Sequence, residues 1–155
     1  MTEKLLSPLR TRPWPERWLT RVVGAALSAA AYLLCLPWDL RNRPEHPGDL
    51  QETSPVTFTG VALLTAVLLL LAAYFGHRDA LAWPLLVAAA PPAVLLYVSL
   101  GSHPESNDGL VAEVWLLTWA FFTLLMAAAV LVAATFARRF RHETVDEERI
   151  LARSS

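Results

Sequence analysis

Residues 62–75 read ALLTAVLLLLAAYF, and residues 116–136 read LLTWAFFTLLMAAAVLVAATF. Neither stretch holds a charged residue, and neither shows the polar stripe at a 3.6-residue period that a helix on the side of a soluble core would carry. A helix needs about 17–25 such residues to cross ~30 Å of hydrocarbon at ~1.5 Å per residue. The uncharged runs that contain these stretches, 58–76 and 114–137, have that length and therefore predict helices that span a membrane.

The chain holds four uncharged apolar stretches of about this length. Its 155 residues are 55% hydrophobic and 17% charged, and its mean hydropathy is +0.40, which is high for a soluble domain. The first stretch follows basic residues, as in a signal peptide, but its apolar run is long for one, so we expect it to be retained. We predict an all-α membrane protein, a four-transmembrane-helix bundle with spans at 22–38, 58–76, 80–101 and 114–137, an interfacial tail at 1–21 and a second tail at 138–155.

Basic residues are divided unevenly between the two sides that these spans define. The two tails and the link between the second and third spans share one side and hold 11 of the 13 lysine and arginine residues, whereas the opposite loops hold only Arg41 and Arg43. Positive residues accumulate on the cytoplasmic side of a membrane. We therefore predict a cell-membrane protein with both termini cytoplasmic, and its richness in arginine, alanine and leucine is typical of a GC-rich bacterial genome.

No charged residue lies near the middle of a predicted span. Ionisable groups at that depth are costly and usually functional, so the pattern argues against proton- or sodium-coupled transport. Arg21, at a span end, is expected to reach the interface by snorkelling. The spans contain no histidine, which disfavours haem, and a net charge of -1 disfavours nucleic-acid binding. The sequence also has no catalytic motif, and we predict no catalytic residue, no cofactor and no metal.

The outer loops carry one grouping of histidines and carboxylates that has the chemistry of a metal site. Its members are His46, His103, Glu45, Asp49, Glu105 and Asp108. Two histidines with carboxylates can hold a divalent metal, but Glu-His-Pro and His-Pro-Glu lack the spacing of ligands on a helix. A solvated acidic surface is the favoured interpretation, and an enzyme acting at this outer face is the third functional hypothesis.

The sharpest local feature is Pro91-Pro92, in the middle of the third span. Each proline lacks an amide donor, so the carbonyls of Val87 and Ala88 lose their helical partners. Ala90, which precedes the pair, is expected to leave helical geometry. We predict that the third helix is kinked or broken at Pro91-Pro92, and that other protein groups satisfy the freed carbonyls within the bilayer.

Three hydroxyl groups are predicted at the depth of this double proline. Counting from the span ends at ~1.5 Å per residue places Ser28, Thr65 and Thr123 near the level of Pro92. Together with Pro91 and Pro92, they are the candidate ligand or gating residues. In the favoured interpretation each hydroxyl bonds back to its own helix or to the kink, and such a bond across helices contributes ~0.6 kcal/mol. In the other, the broken helix lines a small cavity, as in transporters with interrupted helices.

Small residues mark possible packing faces on the first and fourth spans. Gly24 and Ser28 on the first span, and the alanines at 127–129, 133 and 134 on the fourth, allow close approach of helices within the bundle or in another protein. We predict a protein that contacts the lipid bilayer and serves as an accessory, assembly or regulatory subunit of a membrane complex, or as a homo-oligomer. Its partners are other membrane protein subunits or the protein itself, and a small transporter or pore is the alternative.

Overall fold

A computed structural model describes the chain at residue 9 and over residues 12–44, 52–102 and 111–154, with side chains at 9, 12–42, 53–102 and 114–140. Four helices dominate: α1 (Trp14–Cys35), α2 (Phe58–Arg78), α3 (Ala82–Ser102) and α4 (Val111–Ser154). Two short strands, β1 (Arg43–Pro44) and β2 (Glu52–Thr53), pair antiparallel between α1 and α2.

All four helices are long and apolar enough to cross a membrane. The qualifying segments are Trp14–Cys35, Phe58–Arg78, Ala82–Ser102 and Val114–Phe140. The prediction of four membrane-spanning helices is therefore confirmed, and the chain is a multi-pass membrane protein. Which side of the membrane holds the termini stays a prediction.

The first helix begins and ends earlier than the predicted span at 22–38. It starts at Trp14, directly after Pro13, with Pro15 in its first turn, where a missing amide donor costs no hydrogen bond. It ends at Cys35, because Leu36 precedes Pro37 and takes the extended conformation that proline imposes on its predecessor, with φ -119° and ψ 140°. The sequence pattern located the apolar part of this helix, but the prolines set its ends.

The helices α2 and α3 each pack against both α1 and α4. Two glycines mark close approaches between helices. A Cβ added at Gly76 of α2 would lie 2.5 Å from the Cα of Ala134 on α4, and one at Gly24 of α1 would lie 2.6 Å from the ring of Phe75. Gly24, Ser28 and Ala134 are buried. These members of the predicted small-residue faces therefore serve contacts inside the bundle.

The third helix keeps helical geometry through the double proline. It consists of an α-helical turn (Ala82–Pro84), a π-helical turn (Leu85–Ala89) and an α-helix (Ala90–Ser102). Ala90 has φ -65° and ψ -43°, so the expectation that it leaves helical geometry was wrong. Its amide donates to the carbonyl of Leu85, five residues earlier, and this wider turn accommodates the prolines that follow without leaving the helix. The kink itself stays a prediction.

Candidate functional site

Ser28 is the predicted site residue that the structure brings to the double proline. Its side chain is buried, and its hydroxyl donates to the carbonyl oxygen of Ala88 at 2.6 Å. Ala88 lies four residues before Pro92, which has no amide hydrogen to offer that carbonyl. A hydroxyl from α1 therefore supplies the donor that the proline lacks.

The other two hydroxyls do not join Ser28. Thr65 donates to the carbonyl of Val61 in its own helix at 2.8 Å. The Oγ1 atom of Thr123 is buried, and no group in the described part of the chain hydrogen-bonds to it. Pro92 is buried and Pro91 is half-buried. The described residues thus place Ser28 at the proline turn and leave Thr65 and Thr123 outside it, so a shared ligand or gating role for the five stays a prediction.

A cavity of about 330 Å³ lies beside Thr65, between α1, α2 and α4. Its deeper wall includes Leu68 of α2 and Val130 of α4, and Tyr32 of α1 also lines it. Val87, the residue of the proline turn whose carbonyl was expected to be freed, is not among the lining residues. The cavity is therefore separate from the double proline, and its walls are almost entirely apolar.

A buried ion pair lies at the end of the bundle where the tight α2–α3 link is found. The Nε and Nη2 atoms of Arg21 donate to Oδ2 of Asp79 at 2.9 Å and 2.6 Å. The two side chains are only 5% and 2% exposed. The expectation that Arg21 snorkels to the interface was therefore wrong: the guanidinium is paired inside the protein, where charges need a partner to offset lost hydration.

Two tryptophans flank the arginine of this pair. The guanidinium carbon of Arg21 lies 3.5 Å from the ring centroid of Trp83 and 5.7 Å from that of Trp18. The two rings meet edge to face, with centroids 5.6 Å apart. Contact of a cation with an aromatic face contributes about 2 kcal/mol when the pair is removed from water. The rings thus stabilise the buried charge and exclude water from the ion pair.

Asp79 also connects the hairpin of α2 and α3 to α4. Its Oδ1 atom accepts from the amide of Ala80 at 2.9 Å, and its backbone oxygen accepts from Nη2 of Arg138 at 2.6 Å. The Nε atom of Arg138 donates to the carbonyl of Gly76 at 3.2 Å. We call Arg21, Asp79, Trp83 and Arg138 the Asp79 cluster. It joins all four helices. Both carboxylate oxygens of Asp79 already accept hydrogen bonds, so the cluster has a structural role in holding the helices together.

Sequence reasoning did not identify this cluster, although it contained the signal. The predicted topology placed Arg21, Asp79 and Arg138 at the same end of the bundle. A lone carboxylate in the three-residue link 77–79 between the second and third predicted spans, on the same side as arginines at two other helix ends, was the clue. What the sequence could not give was the rotation of α1 that turns Arg21 inward.

The described residues offer little for metal chemistry. Among them, no group of three or more histidine, cysteine, aspartate or glutamate side chains is close enough to hold an ion. The six outer-loop residues considered for a metal site, from Glu45 and His46 to Asp108, lie outside the described residues. An outer-face site therefore stays a hypothesis.

Comparison of the chain with protein-family models, curated proteins and solved structures finds no match. The functional proposal therefore depends on the geometry of the helices and of their exposed surfaces.

Proposed function

We propose that this protein is a non-catalytic, multi-pass protein of a bacterial cell membrane with both termini cytoplasmic. In this proposal it acts as an accessory, assembly or regulatory subunit of a membrane complex, or as a homo-oligomer. The observation that carries the proposal is the unequal burial of the spans. Only 6% of the fourth span is buried within the protein, compared with 28%, 28% and 39% for the first three.

The exposed side of the fourth span has a surface suited to another helix. We define the α4 outer face as Phe121, Leu124, Ala128 and Val132, which recur at intervals of three or four residues and are all exposed. Ala128 lies at the middle of this face, between larger side chains. A small residue in that position lets a second helix approach closely, and such approach is a main source of helix association in membranes.

The interior of the bundle supports a structural role over a transport pathway. The hydroxyl of Ser28 donates to the carbonyl of Ala88, and Arg21 forms an ion pair with Asp79. Thr65 is bonded within its own helix. The first two contacts hold helices together, and all three polar groups already have a hydrogen-bond partner, so they are not offered to a passing solute. The transporter or pore hypothesis therefore ranks second.

Affinity purification in a mild detergent tests the proposal. We expect the tagged wild-type protein to elute with a stoichiometric membrane subunit, or at a mass larger than the monomer. Ala128→Phe should abolish this association, because the added ring fills the gap on the α4 outer face. Ala26→Phe is the matched control, since Ala26 is exposed on α1. Recovery of the wild-type chain alone and monomeric would refute the proposal.

A further inference from the structure

The cavity beside Thr65 carries an inference that is independent of the α4 outer face. It is lined by the neighbouring side of α4, which includes Leu125, Ala129 and Val130, and not by Ala128. We propose that this cavity binds one acyl chain of a membrane phospholipid. At about 330 Å³ it falls in the size range of ligand pockets, roughly 300–1,000 Å³.

The chemistry of the walls selects a hydrocarbon occupant. Of the 15 lining residues, only Tyr32 and Thr65 have a side-chain oxygen or nitrogen. The hydroxyl of Thr65 already donates to the carbonyl of Val61. A buried water needs about two to four polar partners, and a polar ligand would lose its hydration without compensation. A methylene chain needs no hydrogen-bond partner and has no polar hydration to lose.

The length of the cavity matches one leaflet of a bilayer. Its lining extends from Leu40 and Val56, which lie outside the ends of α1 and α2, to Leu69, the twelfth residue of α2. From Phe58, the first residue of α2, to Leu69 there are eleven steps, which at ~1.5 Å each cover about 16 Å. This length is close to half of the ~30 Å hydrocarbon thickness. An acyl chain that enters at the interface therefore ends where the cavity ends.

The cavity also opens where a lipid can enter it. Val61 and Leu69 of α2, and Phe122 and Leu125 of α4, line the cavity and are partly exposed. At its outer end, Leu40 stands between Asp39 and Arg41, whose charged groups pair at 2.9 Å. Asp39 and Arg41 follow the end of α1, so we expect their charges at the depth of lipid headgroups, where they would meet the polar end of a phospholipid whose chain occupies the cavity.

Photolabelling in vesicles of phosphatidylethanolamine and phosphatidylglycerol tests the proposal. The probe is phosphatidylglycerol with a diazirine at the end of one acyl chain, and adducts are mapped by peptide mass spectrometry. We expect adducts on Leu68 and Val130, which line the cavity but are only 4% and 1% exposed. Bulk lipid does not reach buried side chains. A second probe with the diazirine near the ester should move the adducts to Leu36 and Leu40.

The control distinguishes this proposal from the proposed function. Ala129→Phe fills the cavity and should abolish adducts on Leu68 and Val130, whereas Ala128→Phe, one residue away on the α4 outer face, should preserve them. Conversely, Ala128→Phe and not Ala129→Phe should disrupt subunit association. Wild-type adducts confined to exposed residues such as Phe121 and Leu124 would overturn the acyl-chain proposal, whether or not either variant folds.

Discussion

Each of the three oxygen atoms of Asp79 accepts a hydrogen bond from a different residue. Oδ2 accepts from Arg21 of α1, Oδ1 accepts from the amide of Ala80 before α3, and the backbone oxygen accepts from Arg138 of α4. Its own amide donates to the carbonyl of Phe75 at the end of α2, at 2.8 Å. One residue in a short link therefore fixes the relative positions of four helices.

Asp79→Asn should strongly destabilise the protein. The amide keeps an oxygen for Ala80 but leaves the guanidinium of Arg21 buried without a countercharge, and removing one partner of a buried pair costs about 3–5 kcal/mol. In an Arg21→Met background the same substitution should cost much less, because Met still covers Trp83 and no charge is stranded. Titration with SDS in mixed micelles measures both free energies of unfolding, and equal costs in the two backgrounds would contradict a direct coupling.

Ser28→Ala should also destabilise the protein, through the proline turn. It removes the donor to the carbonyl of Ala88, and such interhelical bonds contribute roughly 0.6–1.7 kcal/mol. Ser102→Ala is the matched control, because its hydroxyl bonds within its own helix to Val98. In a Pro92→Ala background, the new amide at position 92 can serve Ala88, so the cost of Ser28→Ala measured by the same titration should fall. An unchanged cost would argue against this pairing.

At the scale of single helices, the prolines decide more than the apolar pattern does. Hydropathy located all four spans because each span is an apolar segment long enough to cross the membrane. It placed neither end of α1, which Pro13 and Pro37 set, and it did not reveal the π-helical turn of Leu85–Ala89. This turn includes Ala88, whose carbonyl accepts from Ser28 of another helix, and an apolar pattern along one chain does not reveal such contacts.

Gly76→Ala should separate α2 from α4. The new methyl group would lie 2.5 Å from the Cα and 2.7 Å from the carbonyl oxygen of Ala134, and backbone atoms cannot move aside as a flexible side chain can. Overpacking of this kind costs about 1–3 kcal/mol. The expected result is a lower midpoint in the SDS titration.

Gly101→Ala provides the control for that substitution. Its added Cβ would have Trp115 as its nearest neighbour, at 3.9 Å, which is ordinary contact. Replacing glycine by alanine within a helix stabilises it by about 1 kcal/mol when space allows, so Gly101→Ala should be neutral or stabilising. Equal losses for both variants would show that the close contact at Gly76 does not limit stability.

For the whole molecule, the sequence predicted the number of spans and grouped the charged residues that meet in the structure. It could not assign the small residues: Ala134 packs against α2, Ala129 lines the cavity, and Ala128 faces outward, although the three are close together in one alanine-rich run. That division depends on which side of α4 faces the bundle. Alanine is compatible with every side, so the pattern of apolar residues does not decide it.

The predicted orientation has its own test. In a Cys35→Ala background, which removes the chain's single cysteine, Ser54→Cys and Arg139→Cys place a thiol near each end of the bundle. A membrane-impermeant maleimide added to intact bacterial spheroplasts should label the cysteine at 54, since it follows a loop poor in basic residues. It should label the cysteine at 139 only after lysis, and the opposite order would reverse the predicted topology.

The Asp79 cluster also has a consequence for how the protein is made. Arg21 and Asp79 are both synthesised well before Arg138, which follows Asp79 by 59 residues. During that interval the ion pair can already hold α1 to the hairpin of α2 and α3. The carbonyls of Gly76 and Asp79 do not yet have Arg138 as a donor. When Arg138 follows at the end of the fourth span, its guanidinium donates to both carbonyls and completes the Asp79 cluster. The contacts that join the fourth helix to this cluster therefore form only after the fourth span has been synthesised.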